Sequence, residues 1–89
     1  MQNRISEIKI VPLTPNNGFV GIASFVFDNC FYMGSIGIVT KSGGGYRLLY
    51  PTRQAKNGTS YSVCHPTDPV VGEAIERIII AQYGAAVRN

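Results

Sequence analysis

The residues best suited to chemistry lie between Lys41 and Cys64, in KSGGGYRLLYPTRQAKNGTSYSVC. This stretch holds four of the eight basic residues, Lys41, Arg47, Arg53 and Lys56, and no acidic one. From Asn29 to Thr67 the chain carries no carboxylate at all. A surface built from it is positive without local neutralisation, which points to an anionic partner. Arginine grips phosphate through two parallel hydrogen bonds and lysine acts on it as a point charge. Tyr46, Tyr50 and Tyr61 lie among these bases, the interleaving expected of a surface that stacks unpaired nucleobases. A solvated hairpin would show the same charges, and tyrosine is also an ordinary strand residue.

Other chemistries find less support. His65 is the only histidine, and its neighbour Cys64 would point to the opposite face of a strand. A histidine that holds the strand-to-helix turn by hydrogen bonds is the simpler reading. Metal binding by Cys30, Cys64 and His65 would need a fourth ligand and has no close-spaced pair to begin it. In Ser42-Gly43-Gly44-Gly45 the Lys-Ser pair precedes the glycines and no helix follows, so this is a hairpin turn and not a phosphate loop. Asp28 is a turn residue without a second carboxylate nearby for acid–base work. No catalytic residue, metal site, cofactor or small-molecule substrate is expected.

These residues need a scaffold, and 89 residues allow one small domain (1–89, ordered core about 4–84) with little core to spare. The N-terminus lacks the apolar run of a secretory signal, and no apolar stretch approaches the ~20 residues needed to span a bilayer. The chain therefore reads as cytoplasmic, with Cys30 and Cys64 reduced and no membrane partner. Net charge is +3, and six of the eight bases fall in the first 67 residues against two acids.

Period-two alternation predicts strand one over Ile5 to Leu13, ended by Pro12 and a turn at Pro15-Asn16-Asn17-Gly18. Strand two runs from Phe19 to Phe27, with Phe19, Gly21, Ala23, Phe25 and Phe27 on one face and Val20, Ile22, Ser24 and Val26 on the other. Asp28-Asn29 suits a tight hairpin turn. Strand three covers Cys30 to Thr40, with Ile36 and Ile38 opposite Phe31, Met33 and Val39, and Gly34 and Gly37 marking a bulge or close approach. Tyr46 to Tyr50 is strand four, Thr52 to Ser60 a flexible polar loop, and Tyr61 to Cys64 a fifth strand. Asp68 caps the one helix and Pro69 opens it. Val71, Ala74, Ile75, Ile78, Ile79 and Gln82 share its sheet-facing side, Glu73 and Arg77 face water, and Gly84 ends it before Ala85 to Asn89.

One helix covers one face of one sheet, yet strand two is apolar on both. An apolar face left open predicts a homodimer formed through the sheet, by edge pairing or face-to-face packing.

In this order and spacing the chain resembles the stage V sporulation protein G (SpoVG) family of small bacterial regulators. The matching residues are Ile5, Ile8 and Ile10; Ala23-Ser24, Asp28 and Phe31; Ile36 and Ile38; Gly45 with Tyr50-Pro51-Thr52-Arg53; Gly58; and His65-Pro66 leading to Ile75. The resemblance implies a dimeric domain of β-sheet and C-terminal helix that binds DNA and RNA and influences septation, cell division and sporulation. It also implies nucleic-acid contacts at Arg53 and Lys56. Gln54 stands where the family commonly has a second base, Arg47 where it usually has an apolar residue, and Ser62 where it usually has an acid.

The expectation is thus an α+β domain: an antiparallel sheet of about five strands with one C-terminal helix packed on it. Its function is nucleic-acid binding (DNA and/or RNA) without catalysis, through Arg53, Lys56, Arg47, Lys41, Tyr50 and Tyr61. The missing recognition helix favours single strands or backbone over base edges in a groove. The alternative is a protein-interaction module that uses an exposed sheet edge or the helix's outward Ile80 to bind a cell-division or regulatory partner.

Overall fold

The computed structural model describes residues 4–88. Four strands form an antiparallel sheet in the order β1-β2-β3-β4: β1 (Ile5–Asn16), β2 (Phe19–Phe27), β3 (Phe31–Thr40) and β4 (Tyr46–Leu49). A separate two-stranded ribbon, β5 (Thr52–Gln54) with β6 (Ser60–Ser62), precedes the helix α1 (Pro69–Arg88). The α+β class with one C-terminal helix is as the sequence implies. The fifth strand is not in the main sheet, however, because the polar segment after Thr52 folds back on itself.

Both ends of the sheet are legible in the residue types. Pro12 and Pro15 both lie in β1, an edge strand, where a missing N–H breaks no ladder. β1 continues to Asn16, beyond the turn expected at Pro15, and only Asn17 and Gly18 turn the chain, both with positive φ. At the other end of β2, Asp28 and Asn29 adopt φ of 52° and 57° and Cys30 N–H donates to the Phe27 carbonyl at 3.0 Å. Asn and Asp tolerate this left-handed region better than other side chains.

Bulges correct the face assignments. In β3 the register with β2 shifts between Ala23 and Phe25, with Ser35 at φ 55°. The extra residue puts Phe31 and Met33 on the same side as Ile36 and Ile38, the side that the helix covers. A second shift between Phe19 and Gly21 turns Phe19 away from Gly21 and brings Val20 into the core at 7% exposure. A third, at Glu7 (φ 50°), brings Ile5 onto the core side together with Ile8 and Ile10.

The core lies between the sheet and α1. Phe25, Ile36, Ile38 and Ile79 are fully buried there, with Ile5, Ala23, Leu48, Ile75 and Tyr83 around them. Each such aliphatic or aromatic side chain contributes about 1.5–3 kcal/mol relative to an exposed one. Asp68 Oδ1 accepts the Val70 N–H at 2.9 Å, so the expected cap is in place. The buried stripe is Ile75, Ile79 and Tyr83, spaced by four, and Gln82 is exposed. Tyr83 takes the end of the stripe because its ring meets Tyr46 edge-on, centroids 5.1 Å apart. The helix also runs past Gly84 to Arg88, since Ala85 and Ala86 are strong helix formers that offset one glycine. Asn89 lies outside the described residues.

Candidate nucleic-acid interface

The glycines after Lys41 fold as the turn their order suggests. Gly43, Gly44 and Gly45 all have positive φ, Lys41 N–H donates to the Gly45 carbonyl at 3.0 Å, and Gly44 N–H to the Lys41 carbonyl at 3.1 Å. Three successive residues in the left-handed region require glycine. The turn presents Lys41 to solvent at the β3–β4 corner.

The segment expected to be flexible is an ordered hairpin. Thr52, Arg53 and Gln54 pair with Ser62, Tyr61 and Ser60. Ala55 N–H donates to Thr59 O at 2.8 Å, Gly58 N–H to Ala55 O at 2.9 Å, and Thr59 N–H to Asn57 Oδ1 at 3.0 Å. Gln54 donates its amide to the Gly58 carbonyl at 3.3 Å and so braces the turn. Lys56 projects from the tip of this ribbon. Arg53 and Tyr61 are direct cross-strand partners, so their side chains share one face.

Lys41, Arg47, Arg53 and Lys56 are all exposed. Among the described residues the one ion pair joins Arg4 to Asp28, so none of these four cations is neutralised by a carboxylate. Arg47 is the cross-strand neighbour of Val39, which pairs with Phe19, and therefore lies on the helix-free face of the sheet. The ribbon and this face together hold the positive groups.

The tyrosines divide. Tyr61 is 52% exposed. Tyr46 is turned to the helix side, where it contacts Tyr83, and is unavailable for stacking. Tyr50 is half-buried at the β4–β5 junction, with its hydroxyl enclosed and, among the described residues, without a hydrogen-bond partner. Burial, then the nearby Glu76 carboxylate, then Cys64, push its phenol up to about 12.

Elsewhere the local chemistry is structural. His65 Nδ1 bonds the Pro66 carbonyl at 3.0 Å, the turn-holding role expected of it. Cys30 is exposed and Cys64 half-buried, both free, and among the described residues no three His, Cys, Asp or Glu side chains cluster as metal ligands. No helix among the described residues is long and apolar enough to cross a membrane. Ile80 is half-buried and not a free apolar knob.

Residues 3–85 match the SpoVG family over nearly the whole chain. The chain belongs to the SpoVG family. Its relatives include proteins named "Putative septation protein SpoVG". The one from Phytoplasma australiense is 27% identical over 86 residues, which cover 97% of this chain and 88% of the relative. The one from Caldicellulosiruptor saccharolyticus is 24% identical over 84 residues, 94% of each chain. That from Treponema denticola is 24% identical over 79 residues, 89% of this chain and 84% of its own. These SpoVG relatives are named for septation and not for a reaction.

Sequence reasoning passed over three residues of this SpoVG chain, Phe19, Lys9 and Tyr32, that share the helix-free face with Arg47. Lys9 pairs with Ser24 and Tyr32 with Val26, on the same helix-free face as Phe19. The bulges at Glu7 and Ser35 and the register shift after Phe19 hid this gathering, since simple alternation puts Phe19 on the other side.

Proposed function

We propose that this protein is a non-catalytic nucleic-acid-binding regulator that acts in septation and, as the family resemblance implies, in sporulation control. Arg53 and Lys56 on the ribbon, with Arg47 on the sheet face and Lys41 at the β3–β4 turn, contact phosphates, and Tyr61 supplies a stacking surface next to Arg53. The observation that carries this reading is that, among the described residues, four exposed cations in one segment have no carboxylate partner. The septation names of the relatives support the process, and the charge supports the ligand. A homodimer formed through the sheet doubles the phosphate contacts to about six.

Fluorescence anisotropy over a salt series, with single-stranded RNA, single-stranded DNA and duplex, tests it. Log affinity should fall with log salt by about 0.9 per phosphate contact on duplex and about 0.7 on single strands. Arg53→Ala/Lys56→Ala should abolish most binding while the fold survives. Equal affinity in that double variant rejects the site, and absence of wild-type binding at low salt favours a protein-interaction module instead.

A further inference from the structure

The helix-free face of the sheet has the makings of a second, base-reading surface. Direct cross-strand partners share a face, and the register places Val11, Ile22, Gly37 and Leu49 in one row across all four strands. The next row is Phe19, Val39 and Arg47, and beyond Ile22 along β2 come Ser24 with Lys9 and Val26 with Tyr32. These rows contain two cations, two aromatics and no carboxylate. Phe19 is 38% exposed and Tyr32 73% exposed.

Each aromatic is seated on a glycine. A Cβ at Gly37 would come 2.7 Å from Phe19 Cε1, and one at Gly34 would come 2.7 Å from Tyr32 Cε2. Both rings therefore lie close against bare backbone, which holds them on the sheet surface. Beside Phe19 a groove of about 300 Å³, lined also by Leu13, Ile22, Leu49 and Pro51, opens toward the start of β5. It leads from the sheet face to the basic ribbon.

We propose that this face is a stacking platform for the unpaired bases of single-stranded nucleic acid, with Phe19 and Tyr32 as the stacking rings and Lys9 and Arg47 as flanking phosphate contacts. The proposal rests on the nucleic-acid reading above and names its ligand as single-stranded. The two rings rest over Gly37 and Gly34, three residues apart on β3 and so within about 10 Å of each other along the strand, a span that suits neighbouring nucleotides. Stacking suits an apolar face bordered by cations because every base has a π-face while its phosphates need neutralising. A second copy of the chain suits it less. Packing two such faces together would bury two Lys9 and two Arg47 with no carboxylate from these rows to pair them, which leaves the sheet edges for dimerisation.

The test uses the full chain with a single-stranded oligonucleotide carrying 2-aminopurine, and an equal-length duplex, by anisotropy and fluorescence quenching. Phe19→Leu and Tyr32→Leu keep apolar volume and remove the ring; Tyr32→Leu alters an exposed position and keeps the test valid if Phe19→Leu fails to fold. Wild type should quench the probe, and each variant should lose roughly tenfold in single-strand affinity and most of the quenching, with duplex affinity unchanged. Wild-type affinity and quenching in both variants, alongside loss of binding in Arg53→Ala/Lys56→Ala, would overturn the platform and leave the binding function standing. Equal loss on single strand and duplex would overturn it too, as would a fall in sedimentation mass in Phe19→Leu, which would make the face a contact between protomers. Wild type binding neither ligand at low salt would remove both readings together.

Discussion

Arg53 on β5 and Tyr61 on β6 face each other directly across the two-stranded ribbon. Cross-strand partners project on the same side, so a cation and an exposed phenol ring form one small surface. Tyr61→Ala should therefore weaken single-strand binding by about 1–3 kcal/mol, the range for one stacked base, and leave duplex binding nearly unchanged. Arg53→Ala should weaken both and reduce the salt slope on duplex by about 0.9. Parallel anisotropy titrations with the two ligands separate these signatures.

How far this arrangement could be read beforehand depends on where positive φ occurs. Where glycine or asparagine marks it, the reading holds: β2 has the bounds expected and the glycines after Ser42 make a turn. Glu7 and Ser35 also take positive φ, at 50° and 55°, and neither residue type announces it. Each shifts the alternation by one and moves the residues beyond it to the other face. The ribbon was hidden for another reason. Its strands are three residues long and polar, and backbone bonds around Asn57-Gly58 hold them more than any apolar pattern does.

Asp68 holds the first turn of α1 through its bond to the Val70 N–H. Asp68→Ala should destabilise the domain by about 1 kcal/mol, and Asp68→Asn or Asp68→Ser should restore most of it. Urea denaturation followed by far-ultraviolet circular dichroism checks this through a change in midpoint without a change in slope.

Arg4 clamps the β2–β3 turn: its Nε and Nη2 donate to Asp28 Oδ1 and Oδ2, both at 2.9 Å, while its guanidinium lies 4.7 Å from the Phe27 ring centroid. The hydrogen bonds from Arg4 hold the Asp28 carboxyl below the usual carboxylate range. A depressed folded-state pKa adds stability above the unfolded-state value, and that stability is lost as pH falls through the folded value. Asp28→Asn keeps a residue suited to the turn and removes the pair. The gap between wild type and Asp28→Asn should be small at neutral pH, because the pair is exposed, and should close in acid. Carboxyl NMR titration should return Asp28 to the ordinary range in Arg4→Ala.

Tyr50 inverts that pH dependence. Its hydroxyl is buried with no hydrogen-bond partner among the described residues, and a buried unsatisfied group costs about 1–3 kcal/mol. Tyr50→Phe removes the cost and keeps the ring, so the variant should be as stable as wild type or more stable, by up to about 1 kcal/mol. The phenol, pushed up to about 12, stays protonated in the folded state after an unfolded chain has begun to ionise near pH 10. A raised folded-state pKa gives stability that is complete below the unfolded value and lost as pH rises through the folded one. Wild type should therefore lose stability relative to Tyr50→Phe as pH climbs from about 10 to about 12. Of the five tyrosines, Tyr50 should titrate late in ultraviolet absorbance, and Glu76→Gln, which removes the carboxylate beside it, should bring that step down.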